Sequence, residues 1–371
     1  MKPDTLRRIG LAAAVVVIAA SIVALEQPWR TKSSVPSAPA DLPPELKKLP
    51  GGADFQSATG WINTPAGQPV DLVSLRGQVV LVDFWTYSCI NCIRTLPYVR
   101  AWYGLYHDDG LEIVGVHTPE FRFERDADNV RDAARRYNLT YPIALDNDAG
   151  IWTAYHNHYW PAKYLIDAYG KIRYTHFGEG GYDETEAKIR ELLVESGHAL
   201  GNETSNVFSG ASSGAAGVTP ELYAASHGGS RQSAIGNREG YRAGENITYA
   251  RPDAIDRDRI YLVGSWHDAD DTVDARDGEA SVVVRFAGGG GNFVADGPQG
   301  ACIQVLLDGQ LIGHDRAGAD VTYTENGPCI TLDGPRSYLF YGGPDEEHVV
   351  ELKAPSGFRL YTFDFSLNET T

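Results

Sequence analysis

Apolar runs and helix-like periodicity alternate between Trp61 and Leu193. The run VVLVDFW, residues 79–85, is apolar apart from one aspartate, which is typical of a central buried strand. Apolar residues spaced three and four apart then predict a helix from Cys89 onward. Later segments predict a strand, a helix capped near Asp126 or Asp128, two strands joined by a turn, and a closing helix: LEIVGVH, DADNVRDAARRYNL, AKYLID, KIRYTHF and residues 183–195. This order predicts a mixed α/β sheet covered by helices, preceded by a hairpin in WINTPAGQPVDL.

The chain beyond residue 220 follows a different pattern. Short alternating or apolar runs recur between turn residues: RIYLVGSW, ASVVVRFA, GNFVAD, CIQVLLDGQLIG, SYLFYG, HVVELKA and FRLYTFDF. No helical pattern of comparable length competes with them, so we predict an all-β sandwich of jelly-roll type. Residues 201–220 are rich in Ser, Gly, Ala and Asn, and we expect them to form a flexible linker.

The N-terminus has the pattern of an export segment. Lys2, Arg7 and Arg8 precede an apolar run from Ile9 to Leu25, an order that places the rest of the chain outside the cytoplasm. The run lacks a clean cleavage site, which favours a retained membrane anchor over a product secreted after cleavage. The expected organisation is an anchor and Pro-rich spacer, an α/β domain, a linker and a β-sandwich, at residues 1–50, 51–200, 201–220 and 221–371.

Composition narrows the classes of function. The 371 residues carry a formal net charge of -17, and recognition of nucleic acid depends on clustered basic side chains, so no nucleic-acid partner is expected. The four cysteines are Cys89, Cys92, Cys302 and Cys329. Outside the cytoplasm, an even number of cysteines suggests two pairs, one in each half of the chain.

The spacing Cys89-Ile90-Asn91-Cys92 falls where a predicted strand turns into a helix. Free amide donors and the helix dipole stabilise a thiolate there, so we expect Cys89 to be the attacking thiol with a low pKa and Cys92 to resolve the mixed disulfide. A structural zinc site and a purely structural disulfide remain alternatives. No second cysteine pair lies nearby, and we predict neither a metal nor a bound cofactor.

At these residues the chain resembles a known family. The strings VDFWTYSCINC and YWPAKYLID, with Pro97 in the helix, resemble the TlpA-like and redoxin-like exported branch of the thioredoxin superfamily. The strings WTYSCINCIRTLPYVRAW and HTPEF most resemble the C-terminal extracytoplasmic region of DipZ proteins. The resemblance implies a thioredoxin fold that exchanges disulfides with protein partners in the periplasm or its equivalent. More weakly, TPELY, RIYLVGSW and YTFDF resemble the carbohydrate-binding-module-like domain of that family.

The resemblance also implies roles for single residues. Cys89 matches the family nucleophile, Cys92 the resolving thiol, and Pro161 the cis-proline that faces the dithiol, although a trans proline at a strand start is an alternative. A cis bond would leave the backbone of Trp160 open to pair with a substrate segment. Asp83 matches the carboxylate that assists proton transfer at the resolving thiol, or else is a buried structural aspartate.

Three further residues are candidates for the substrate groove beside Trp160. Trp85 matches the aromatic residue next to the active turn. His158 and Glu120 are expected near the dithiol, with loop capping for the histidine and a solvated loop position for the glutamate as alternatives.

The second half contains two more candidates. In an oxidising compartment we expect Cys302 and Cys329 to form a structural disulfide, with two buried thiols as the alternative. Trp266, Tyr261 and Tyr341 are candidates for a sugar-binding platform, or for buried and edge-strand positions.

The leading hypothesis is a membrane-anchored reductase of protein disulfides. DipZ proteins join a CcdA-like electron carrier to this region, whereas this chain has a single apolar segment, so the resemblance implies a separate CcdA-like carrier as partner. An oxidase, a redoxin-type thiol peroxidase, and a cell-surface module that binds glycan or protein remain alternatives.

Overall fold

The structure, a computed structural model, describes residues 54–205, 207, 217–226 and 231–367. All of these residues belong to one unit by their contacts. The predicted anchor and spacer, residues 1–50, lie outside the described residues, as does half of the predicted linker. Among the described residues, no helix has the length and apolar character needed to cross a membrane.

A mixed sheet organises the first part of the chain. Within residues 54–205 its strands are β1 (Gly60–Ile62), β2 (Val79–Trp85), β3 (Leu111–His117), β4 (Ile143–Leu145), β5 (Ala162–Ile166) and β6 (Ile172–Phe177). Their order in the sheet is β1-β4-β3-β2-β5-β6. The central strand β2 pairs parallel with β3 and antiparallel with β5, which explains why all of its residues are buried.

Helices cover both faces of this sheet. They are α1 (Ile90–Tyr106), α2 (Ala127–Arg136), α3 (Gly150–Ala154) and α4 (Tyr182–Glu195). Alternate residues of β2 belong to two separate apolar clusters: Leu81 and Trp85 to one, Val82 and Phe84 to the other. The side chain of Asp126 caps α2 by accepting the Asp128 N–H at 2.9 Å. The predicted strands and helices occur in the predicted order, with two additional short elements, β4 and α3, between α2 and β5.

The N-terminal hairpin predicted in WINTPAGQPVDL is wrong. Its first residues form β1, which pairs with β4 rather than with a neighbouring strand, and Pro65–Gly67 form a 3-10 turn. The elements β4 and α3 were not predicted, because three and five residues are too few to establish a periodicity. The hairpin β5–β6 is confirmed, and Gly170 occupies its turn at φ 81°.

The second part is rich in β-structure. Its strands within the described residues are β7 (Leu222–Tyr223), β8 (Asn246–Tyr249), β9 (Ile260–Asp268), β10 (Val273–Ala275), β11 (Ala280–Asp296), β12 (Cys302–Leu307), β13 (Gln310–Leu311), β14 (Val321–Thr324), β15 (Gly327–Thr331), β16 (Arg336–Ala354) and β17 (Arg359–Ser366). The main path of hydrogen-bonded neighbours is β14-β15-β12-β16-β11-β17-β10-β9-β8. Strands from both ends of this path contribute to one apolar cluster, so the network curls around its own core.

Two pairs of predicted runs are single long strands. ASVVVRFA and GNFVAD both belong to β11, and SYLFYG and HVVELKA both belong to β16. The glycine-rich segment between the first pair predicted a turn, but it continues the ladder through register shifts after Gly288 and Gly291. Pairing between β11 and β16 therefore outweighed the local turn signal.

The β-rich region, residues 217–226 and 231–367, packs directly against the α/β region, residues 54–205. The ring of Tyr361 in β17 lies 5.1 Å from that of Phe121 and 4.6 Å from that of Phe123, measured between centroids. The Nη2 atom of Arg94 in α1 donates to Ser366 Oγ at 2.7 Å. These contacts hold the end of β17 beside the start of α1, where both cysteines of the CxxC sequence lie.

Candidate functional site

The dithiol lies at the N-terminal end of α1. Strand β2 ends at Trp85, and after a short turn Cys89 is the residue that caps the helix. Its Sγ accepts the backbone N–H of Cys92 at 3.4 Å. Both cysteines are free thiols; Cys89 is partly exposed and Cys92 is buried. An incoming sulfur therefore reaches Cys89 first.

The pKa of Cys89 departs from the low value expected at a helix start. Its side chain hydrogen-bonds the Cys92 side chain, and this contact, burial and the negative charge of Glu120 raise the pKa of Cys89 well above its usual value. The Cys92 N–H opposes them by stabilising the thiolate. The N–H at the start of the helix thus lowers the pKa of Cys89, as expected, but the contacts and burial that raise this pKa have the larger effect.

Asp83 lies on the face of β2 that carries Leu81 and Trp85, the same face that α1 covers. It is fully buried, and its Oδ1 lies 3.2 Å from Nζ of Lys163, which is also buried. Burial raises the pKa of Asp83, while the charge and hydrogen bond of Lys163 act in the lowering direction. Burial is the larger effect, so the pKa of Asp83 lies above its usual value.

Pro161 lies at the start of β5, and the peptide bond from Trp160 to Pro161 is cis. The Pro161 carbonyl accepts the N–H of Gly178 at 2.8 Å. The Trp160 ring packs 4.2 Å from that of Trp152 and lines the same cleft as Cys89.

A buried carboxylate joins the turn before Cys89 to the loop after β3. Glu124 accepts hydrogen bonds from the Ser88 hydroxyl at 2.6 Å and from the N–H groups of Glu120 and Phe121 at 2.5 and 2.8 Å. Burial, reinforced by the charge of Glu120, raises the pKa of Glu124 to about 6. This carboxylate fixes the position of Glu120 relative to the active turn.

Both regions of the chain contribute walls to the cleft at Cys89. Its volume is about 270 Å³, slightly below the range of about 300–1,000 Å³ typical of small-molecule sites. Such a cleft admits side chains of a partner more readily than a large cofactor. Its lining residues are Ser88, Cys89, Asn91, Glu120, Phe121 and Trp160 from the α/β region, and Glu221, Tyr223, Arg231, Val294, Thr362 and Asp364 from the β-rich region.

The cleft does not include all the groove residues expected from the sequence. Glu120 and Trp160 line it together with Cys89. Trp85 is fully buried, with its ring edge-on to that of His117 at 5.3 Å, because β2 is a central strand with both faces covered. His158 is exposed and lies outside the cleft lining.

The remaining candidates lie in the β-rich region. A disulfide joins Cys302 in β12 to Cys329 in the neighbouring strand β15. The sugar platform proposed from Trp266, Tyr261 and Tyr341 is wrong, because all three side chains are buried. No group of three or more potential metal ligands occurs in the part of the chain that the structure describes.

Several groups around the dithiol were not predicted from the sequence. Lys163 was detectable in principle, because a lysine inside the apolar strand AKYLI needs a buried partner. Tyr223, Arg231 and Asp364 carry no local signal, since only the packing of the two regions brings them to Cys89.

Comparison with known proteins identifies the class. The AhpC/TSA family matches residues 53–175, and the family described as thioredoxin like C-terminal domain matches residues 219–366. The thiol-disulfide oxidoreductase YkuV of Bacillus subtilis is 31% identical over 135 residues, which are 36% of this chain and 88% of YkuV. The chain belongs to the thioredoxin-like thiol-disulfide oxidoreductases, and the thioredoxin-like fold predicted from the sequence is confirmed.

Two further relatives refine this assignment. The protein DipZ of Mycobacterium bovis is 49% identical over 181 residues, which are 48% of this chain and 26% of DipZ. The thiol-disulfide oxidoreductase ResA of Halalkalibacterium halodurans is 32% identical over 129 residues, which are 34% of this chain and 67% of ResA. The chain thus spans about a quarter of the length of DipZ, and the resemblance to DipZ predicted from the sequence is confirmed.

Proposed function

We propose that this protein is an extracytoplasmic reductase of protein disulfides and that Cys89 and Cys92 carry the reaction. The observation that carries the proposal is the arrangement of the two thiols. Cys89 is accessible from the cleft at the start of α1, and Cys92 lies buried behind it with its N–H directed at the Cys89 sulfur. Such a pair can attack an external disulfide with one sulfur and resolve with the other.

The exchange balances as two substitutions at sulfur. The Cys89 thiolate attacks one sulfur of the substrate disulfide, whose S–S bond breaks, and the leaving thiolate takes up a proton. Cys92 then loses its proton and attacks Cys89 Sγ, which releases the second substrate thiol and leaves a disulfide between Cys89 and Cys92. The substrate gains two electrons and two protons. A separate CcdA-like membrane carrier is the proposed donor that restores the dithiol.

Asp83 is the proposed acceptor of the Cys92 proton. Its burial raises the pKa of the carboxyl toward the range useful to a general base, and Lys163 stabilises the charged form from the neighbouring strand. Transfer of a proton between the buried thiol and the buried carboxylate would avoid creating an additional charge in the sheet.

Cleft shape supports a protein substrate. Trp160, with its backbone next to the cis peptide bond, lines one side of the cleft and offers main-chain groups to an extended segment. The β-rich region, which we propose to be a jelly-roll sandwich resembling a carbohydrate-binding module, supplies the opposite side. Its role in this proposal is to shape access to Cys89.

Export is the second part of the proposal. The basic residues before the apolar run Ile9–Leu25 support an extracytoplasmic location with a retained anchor. In intact cells, a membrane-impermeant thiol reagent is expected to label Cys89 to the same extent as in lysed cells. Labelling only after lysis would contradict the extracytoplasmic location. It would not contradict the redox proposal, which the reduction potential tests separately.

The redox test measures the equilibrium reduction potential of the full chain in glutathione or dithiothreitol buffers. A reduction potential of about -270 mV supports a reductase. A potential of about -120 mV indicates an oxidant and contradicts the proposal that the protein reduces its substrates. Cys92→Ser is expected to accumulate mixed disulfides with a protein substrate. Cys302→Ser/Cys329→Ser is the matched control, because it removes the chain's other cysteine pair and should leave exchange unchanged.

Two results would assign a different function. Failure of the wild-type chain to exchange disulfides with any protein substrate would remove the enzymatic proposal and favour a binding module. Faster consumption of hydrogen peroxide than of protein disulfides would favour a thiol peroxidase.

A further inference from the structure

Glu120 is held between the two regions of the chain. Its Oε1 lies 2.9 Å from Nη2 of Arg231 and accepts the Tyr223 hydroxyl at 2.9 Å, and both partners belong to the β-rich region. The Glu120 side chain is 10% exposed and that of Arg231 is 17% exposed. This ion pair is therefore shielded from solvent more than a surface pair would be, and charges interact strongly there.

Arg231 is also held in place by other contacts. Its guanidinium lies 5.1 Å from the centre of the Phe121 ring and 4.8 Å from that of Tyr223. Its Nη1 also donates to the Glu120 backbone carbonyl at 3.4 Å. A planar guanidinium that stacks on rings and pairs with a carboxylate is a geometry that lysine cannot fully reproduce.

Glu120 and Cys89 face the same cleft, and the negative charge of Glu120 raises the pKa of Cys89. Burial raises the pKa of Glu120, whereas Arg231 and Tyr223 act in the lowering direction by favouring the charged carboxylate. A charged Glu120 without its arginine would oppose formation of the Cys89 thiolate. The arginine offsets that charge.

Other ionisable groups surround the same cleft. Burial and the charge of Glu120 raise the pKa of Asp364 to about 7. The groups that face the cleft or act on it electrostatically are Cys92, Arg94 and Glu179 from the thioredoxin-like region and Glu221, Tyr223, Arg231 and Asp364 from the β-rich region. Arg231 lowers the pKa of two carboxyl groups at this cleft, Glu120 and Glu221, whereas Arg94 lowers that of Asp364. Loss of Arg231 should therefore change the electrostatic environment of the Cys89 sulfur.

We propose that Arg231 of the β-rich region is a positioning residue for disulfide exchange, which holds the Glu120 carboxylate in an ion pair and so masks its charge from Cys89. The proposal rests on the proposed function in taking Cys89 as the attacking thiol. It makes the β-rich region a determinant of thiol reactivity through the Glu120 carboxylate.

The test is the pH profile of Cys89 alkylation by iodoacetamide in the reduced full chain. The modified Cys89 peptide is followed by mass spectrometry, and Cys92→Ser is included in every variant so that one thiol of the pair titrates. Arg231→Gln is expected to raise the apparent pKa by about half a unit or more, which lowers the thiolate fraction at neutral pH about threefold. Glu120→Gln is expected to shift it in the opposite direction.

The double variant Glu120→Gln/Arg231→Gln separates masking from structural damage. When Glu120 is already neutral, loss of Arg231 should shift the Cys89 profile by less than half of its effect in the presence of Glu120. An equal shift in both backgrounds would overturn the proposal, as would no shift in Arg231→Gln. Arg231→Lys should restore part of the profile, because it keeps the charge but not the planar pairing.

Arg136→Gln is the matched control. Arg136 also forms an ion pair between the two regions, with Asp333 at 3.2 Å, but that pair is exposed and does not line the cleft. An equal shift in this variant would attribute the effect to weakened packing of the two regions. Alkylation needs no turnover, so failure of the proposed reductase activity would leave this measurement interpretable.

Discussion

Lys163 and Asp83 occupy directly opposed positions on the antiparallel strands β5 and β2, and their side chains form a buried ion pair. Neither charge can reach water from this position. The pair ties the strand that leads into the active turn to the strand that follows the cis-proline. Its two charges are stable in the sheet only together.

Replacement of Lys163 by Met should therefore destabilise the fold. The Asp83 carboxylate would remain buried without a partner, which costs about 3–5 kcal/mol of unfolding free energy at pH 8. The loss should be smaller at pH 5, because the pKa of Asp83, already raised by burial, rises further without the lysine and the carboxyl takes up a proton. Urea unfolding followed by tryptophan fluorescence at both pH values measures this difference.

The control for this prediction is Asp83→Asn/Lys163→Met, which removes both charges. It should be more stable at pH 8 than Lys163→Met alone. Equal stability of the two variants would mean that the unpaired carboxylate is not the source of the loss.

The raised pKa of Glu124 should make the unfolding free energy depend on pH in a defined direction. Its folded pKa, raised to about 6 from a usual 4.5, means that the folded state keeps a proton that the unfolded chain has lost. Its contribution to stability is fully present below pH 4.5 and is lost as the pH rises through about 6, a change of about 2 kcal/mol. Glu124→Gln should lack this component.

The measurement compares the unfolding free energies of wild type and Glu124→Gln between pH 4.5 and pH 7. The variant is not expected to gain stability overall, since its amide group places a donor near the N–H groups of Glu120 and Phe121. The difference in slope is the decisive quantity. Parallel curves would contradict the assignment of this titration to Glu124.

The disulfide between Cys302 and Cys329 should stabilise the β-rich region. The two cysteines are 27 residues apart in sequence, and closing a loop of this length is worth about 3–4 kcal/mol by its effect on the unfolded chain. Cys302→Ser/Cys329→Ser should lower the unfolding free energy by that order under oxidising conditions. The same variant compared with wild type in strong reductant is the control, and the difference should largely disappear there.

Sequence patterns predicted the elements whose residues carry a long, regular signal. The buried strand β2 and the helix α1 follow from seven and seventeen residues of consistent pattern. The strand β4 and helix α3 were missed because they are short. Strands β11 and β16 were each split in the prediction, because a turn-like local composition at their centres is overridden by the ladder between them.

The candidate site likewise contains residues that a local motif predicts and residues that only the packing of the two regions brings together. Cys89, Cys92 and Pro161 follow from a local motif, and Asp83 from its offset within β2. Arg231 donates to the Glu120 backbone across 111 residues of chain, so its role depends on packing between regions that sequence periodicity does not describe. Lys163 lies between these cases, because its strand was predicted but its ion pair with Asp83 was not.

Tyr361, packed against Phe121 and Phe123, keeps the β-rich region seated beside the dithiol. Residues of the β-rich region therefore form part of the wall around Cys89. If protein disulfides are the substrates, as proposed, a disulfide on a protruding loop would reach Cys89 more readily than one recessed in a compact partner.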